Sequence, residues 1–202
     1  MKEIDVNLLN TLTYQEYRAT IAQLLAEGKA TGHDQNPDLV HYSELNQARM
    51  HRLDKTIQVL PKAVTWFSKF TKKHIWLVLA EGWCGDAANS IPVLQKMADL
   101  TPTIELKIVL RDDNDEIMQQ FLTNGARAIP KLVVIDAESS VVLADWGPRP
   151  EPAKKVIQDY KATHGVVDET AKIELQKWYL QDKGISIQNE ILKIYEHMSN
   201  LV

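Results

Sequence analysis

The stretch HIWLVLAEGWCGDAANSIPVL, residues 74–94, decides the fold. Its first seven residues form a short, continuous apolar run, the pattern of a strand buried on both faces. From Ala87 to about Leu100 the spacing becomes helical, with Pro92 inside the helix. Between strand and helix lies Trp83-Cys84-Gly85-Asp86, and Cys84 is the only cysteine of the chain. Three residues on, where a Cys-x-x-Cys pair would place its second sulfur, stands Ala87.

Toward the C-terminus the rhythm continues. TIELKIVL (103–110) reads as a second strand, and DEIMQQFLTNG (115–125) as a helix closed by Asn124-Gly125. KLVVID (131–136) and SVVLADW (140–146), joined by the short turn Ala137-Glu138-Ser139, read as a hairpin. PEPAKKVIQDYKA (150–162) is a further helix. The order from residue 75 to 163 is β-α-β-α-β-β-α, which makes an α/β sheet with helices on both faces.

The flanks read as helical. Thr13-x-x-Glu16 is a capping box, followed by Tyr14, Tyr17, Ile21, Leu24 and Leu25 on one face. Asn36-Pro37 opens a second helix running toward Thr56 with Leu39, Tyr42, Leu45 and Leu53, and Pro61 opens a third. After residue 164 an apolar set that includes Ile173, Trp178, Leu180, Ile191, Leu192 and Tyr195 suits docking helices. The expected organisation is a helical N-terminal extension (1–73) packed on the core, an α/β domain (74–163) and C-terminal helices (164–202).

Composition excludes several function classes. The 202 residues are 45% hydrophobic and 25% charged, which suits a folded globular chain. A formal charge of −4 argues against a nucleic-acid partner, which calls for a clustered basic surface. No segment reaches the length of a membrane span and the N-terminus lacks a secretory apolar run, so a cytoplasmic protein is expected. One cysteine rules out an intramolecular disulfide, and six scattered histidines suggest no metal site. No cofactor is expected.

As a set, Trp83-Cys84-Gly85-Asp86, Pro92, Ile129-Pro130 and Gly147 resemble the thioredoxin superfamily over roughly residues 74–163. With WCGDAA, LTNGARAIPKL, WGPRP and the helical lead-in, the chain is similar to a group of uncharacterised bacterial thioredoxin-family proteins. The resemblance implies a cis peptide before Pro130, a proline lying against Cys84, and an Ile129 backbone available to an extended substrate. It also implies that Gly147 lies beside Pro130, which lets Arg149 reach toward the site.

Physical chemistry supplies a partial mechanism. A cysteine at a helix N-terminus faces free N–H groups and the positive end of the dipole, which favour the nucleophilic thiolate. Asp86 opposes that ionisation while favouring the helix start. Val78 stands where many thioredoxins carry the carboxylate that serves a second thiol, so carboxylate and second thiol are lost together. A dithiol cycle is excluded. Two readings remain. In one, Cys84 performs monothiol exchange with a protein or low-molecular-weight disulfide and is released by an external thiol. Trp83, Gly85, Asp86, Ala87, Ile129 and Pro130 then form the substrate surface, with Arg149 and Glu81 at the rim. In the other, Cys84 is a packed, inert sulfur, and the groove is a non-catalytic binding module for a protein, with the helical N- and C-terminal pieces setting the partner.

Overall fold

The computed structural model describes residues 2–199. Thr13 starts α1 (Tyr14–Ala26): its side chain accepts from the Glu16 N–H while Glu16 bonds back to the Thr13 N–H. That reciprocal pair satisfies two otherwise free donors of the helix end. Tyr17 and Ile21, each 1% exposed, turn the helix face into the core. α2 (Pro37–Thr56) begins at the Asn36 cap with proline at its first position. α3 (Pro61–Phe67) follows.

β1 (His74–Ala80) lies in the interior of the sheet. Trp76, Leu77, Val78, Leu79 and Ala80 are all fully buried. Because successive side chains of a strand point to opposite faces, both faces must be covered. α4 (Gly85–Ala98) follows, then β2 (Ile104–Leu110), which pairs parallel to β1 with Ile104 opposite His74. β3 (Lys131–Asp136) pairs antiparallel on the other edge of β1, and β4 (Val142–Trp146) completes the order β2-β1-β3-β4.

Two local readings of the sequence change. The helix expected over 115–125 is only α5 (Asp115–Met118) and one 3₁₀ turn, Gln119–Phe121. Asn124 and Gly125, both at positive φ, form the turn of a one-bridge hairpin that joins Thr123 to Ala126. Paired positive φ is the geometry of a tight hairpin turn, and Asn-Gly serves it as readily as a helix end. The N-terminal segment, expected to be all helical, also forms isolated bridges. Leu12 pairs with Ile108 of β2, and Glu3 pairs with Val141 beside β4. These strands lie at the sheet edges, where unpaired N–H and C=O groups invite such contacts.

α6 (Glu151–His164), α7 (Glu169–Asp182) and α8 (Ile185–Ser199) close the chain. Aromatic packing docks α8: the Tyr195 ring lies 5.1 Å from both Trp66 and Phe67, edge-on. Its hydroxyl accepts from Trp76 Nε1 at 2.6 Å and bonds His74 Nδ1 at 3.0 Å. Such aromatic pairs contribute about 0.5–1.5 kcal/mol each beyond burial. Gln188, fully buried, accepts from the Leu60 N–H and donates to the Gln58 carbonyl, which ties α8 to the chain before α3. Ile173 and Leu180 of α7 depart from the expected docking set, being 53% and 52% exposed. Among the described residues no helix is long and apolar enough to cross a membrane.

Candidate functional site: a cationic pocket over Cys84

Leaving β1, the chain turns through Glu81-Gly82-Trp83 and enters α4 at Cys84. Thr31 and Asn46, far apart in sequence from this turn, hold it in place. The Thr31 hydroxyl accepts from the Gly82 N–H at 2.8 Å, and Asn46 Nδ2 donates to the Gly82 carbonyl at 2.8 Å. Trp83 Nε1 donates to the Thr31 carbonyl, and the Arg111 guanidinium stacks 4.9 Å from the Trp83 ring.

Cys84 is the N-cap of α4. Its Sγ accepts from the Ala87 N–H at 3.4 Å and donates to the Ile129 carbonyl at 3.3 Å. The second bond requires the protonated thiol. Burial pushes the Cys84 thiol up to about 12, Asp86 pushes the same way, and the Ala87 and Asp86 N–H groups oppose both. The helix end therefore acts in the expected direction but loses to desolvation, the larger effect for a group this enclosed. The residue is 8% exposed.

The Ile129–Pro130 peptide is cis, as is Gly147–Pro148. Pro130 is buried, and the Ile129 carbonyl, expected to be free for a substrate backbone, is engaged by the thiol. Gly147 has φ +118°, and a Cβ there would sit 2.2 Å from the Pro130 carbonyl oxygen. Only glycine fits so close an approach.

Arg149 does reach the site. Its Nε and Nη2 both lie 2.7 Å from Asp86 Oδ2, and the Tyr179 hydroxyl of α7 donates to Asp86 Oδ1 at 2.8 Å. Asp86 is thus clasped from two sides. Ala87 is fully buried and offers no chemistry. Glu81, expected at the rim, is instead fully buried behind the site. Its Oε1 accepts from the Asp112 N–H at 3.0 Å, and burial raises its carboxyl above the ordinary value. The end of β1 points this side chain inward, toward Gly32 and Asp112.

Cys84, Trp83, Gly85, Asp86, Ile129 and Arg149 all line one cavity of about 840 Å³. Its walls are α2 and α7, from the helical pieces that the binding-module reading of the sequence has setting the partner. Seven cationic side chains line it (Arg49, Arg52, Arg111, Arg127, Arg149, Lys172 and Lys177) against two carboxylates, Asp86 and Glu169. The only sequence signal for these helices was spacing: Tyr42, Leu45, Arg49 and Arg52 recur on one face of α2, and Glu169, Ile173, Gln176, Lys177 and Leu180 on one face of α7. Tyr179 carried no signal at all. No group of three or more His, Cys, Asp or Glu that could hold a metal occurs among the described residues.

A family model described as thioredoxin matches residues 32–161, more than half of the chain. The chain belongs to the thioredoxin family. The match begins at residue 32, so it takes in α2 and α3 as well as the sheet. None of the curated proteins compared with the sequence matches it. Among solved structures, a protein of unknown function from Pseudomonas aeruginosa is similar, with a TM-score of 0.56 and 20% identity, over 92% of this chain and 98% of that one. An HIV epitope-scaffold is similar with a TM-score of 0.57 and 21% identity, over 92% of this chain and 99% of that one. At these identities the likeness speaks for the fold, helical flanks included.

Proposed function

We propose that this thioredoxin-family protein is a binding module, in which the groove beside Cys84 holds a ligand and does not turn over disulfides. One observation carries the reading: the sulfur is buried, 3.3 Å from the Ile129 carbonyl oxygen, with Ala87 where a resolving sulfur would be. α2 and α7 supply the walls of the cavity. The test is reduction of a mixed disulfide between glutathione and a small protein, with excess glutathione present. Turnover no faster than that of a Cys84→Ala variant is expected. Turnover abolished by that substitution would overturn the reading.

A second reading has its own observation. Cys84 borders the cavity at the N-terminus of α4. On this reading Cys84, as thiolate, attacks a disulfide seated in the pocket. A new S–S bond to Cys84 forms, the old one breaks, and one sulfur leaves as thiolate. An external thiolate then attacks the mixed disulfide and releases Cys84. The same assay separates the two readings.

A further inference from the structure

The binding reading leaves the ligand's chemistry open, and the lining of the cavity narrows it. Arg149 is matched by Asp86 and Lys172 by Glu169. Arg111 and Arg127 share Asp112, and Arg127 also meets Asp115. Arg49 and Arg52, three residues apart on α2, have no carboxylate within ion-pair distance among the described residues. Lys177 likewise meets no carboxylate among the described residues but is exposed, whereas Arg49 and Arg52 are both half-buried.

Arg49 is also positioned. Its Nη1 donates to Asn46 Oδ1 at 2.6 Å, and the Asn46 amide is anchored on the Gly82 carbonyl. The same Nη1 lies 3.6 Å from where a Cβ of Gly85 would be, so the guanidinium stands over the residue after Cys84. Burial and the neighbouring Arg52 lower the Arg49 guanidinium from its ordinary value. A partly desolvated cation held beside a like charge is an unfavourable arrangement that an anion would relieve. The other half of the lining is apolar. Leu39 and Leu45 of α2 and Ile173 and Leu180 of α7 all border the cavity, and the last three are at least 39% exposed.

We infer that the cavity takes a small organic anion, with its carboxylate or phosphate head on Arg49 and Arg52 beside Gly85 and its apolar body between α2 and α7. The volume of about 840 Å³ suits one such molecule. The inference rests on the binding reading but not on the inertness of Cys84.

The test is titration calorimetry of the full chain with decanoate, decyl phosphate, 1-decanol and acetate. Decanoate or decyl phosphate is expected to bind one per chain, at least tenfold tighter than 1-decanol and far tighter than acetate. Whichever head binds better assigns the anion as carboxylate or phosphate. Arg49→Gln combined with Arg52→Gln should weaken the anion at least tenfold, equivalent to about 1.4 kcal/mol, and leave 1-decanol unchanged. If that variant folds poorly, salt dependence of the unmodified protein serves instead: raising ionic strength should weaken the anion and not the alcohol. Equal binding of decanoate and 1-decanol, or an unaffected double variant, overturns the inference. Absence of any probe binding, with a dimer in sedimentation, gives the face to a second copy and overturns it too. Disulfide turnover together with anion binding would overturn the proposed function alone.

Discussion

The reactivity of Cys84 is the sharpest quantity to predict. A thiol pushed from an ordinary 9.0 to about 12 is ionised on the order of 1000-fold less at pH 7. The thiolate that does form is more basic, and a Brønsted slope of roughly 0.4–0.5 returns about 20-fold of that loss. The net expectation is alkylation by iodoacetamide roughly 50-fold slower at pH 7 than for a short peptide thiol, before access is counted. The rate should climb about tenfold per pH unit through pH 10 without a plateau. Asp86→Asn removes the negative charge that opposes ionisation and frees the Arg149 guanidinium now clasping it. That variant should react several-fold faster at pH 7 than the parent. The assay is mass-spectrometric counting of the single adduct over time, with urea-unfolded protein as the internal reference. A plateau below pH 9, or a rate at pH 7 matching the unfolded chain, refutes the reasoning and returns the helix N-terminus to dominance.

Three further outcomes follow from the structure. Gly147→Ala places a Cβ 2.2 Å from the Pro130 carbonyl at φ +118°; it should lower stability by roughly 3 kcal/mol in urea denaturation. Burial lowers the His74 imidazole from 6.5 to about 4, so below pH 6.5 the unfolded chain takes up a proton that the folded one refuses. Stability should fall between pH 6.5 and pH 4, by roughly 1–3 kcal/mol, and His74→Gln should flatten that slope in thermal melts. Tyr179→Phe strips one partner from the buried Asp86 carboxylate and should cost about 1–2 kcal/mol in the same denaturation assay.

Much of the fold was legible because it is written locally. The 74–80 run announces a strand covered on both faces, Thr13-x-x-Glu16 and Asn36-Pro37 mark helix starts, and the element order then leaves few topologies. Where local signals are degenerate, the reading slips. Asn124-Gly125 suits a helix end and a tight hairpin turn alike, and the bridge between Thr123 and Ala126 makes it the turn. Glu81 shows the same limit. Three residues before the cysteine it reads as a rim carboxylate, yet the direction of the side chain leaving β1 sends it into the interior.

For the site, the sequence alone determined the single thiol, the missing resolving sulfur and the strand–Cys84–helix setting, because these are matters of residue type and spacing along one segment. Only the tertiary structure decided whether that setting yields a thiolate. The dipole and N–H groups of α4 are local, but the burial that outweighs them needs distant chain, with the Ile129 carbonyl against the sulfur. The same holds for the cavity. Arg49 and Arg52 are ordinary helix-surface residues of α2 in the sequence, and only the packing of α7 opposite places them in one cavity lining beside Gly85.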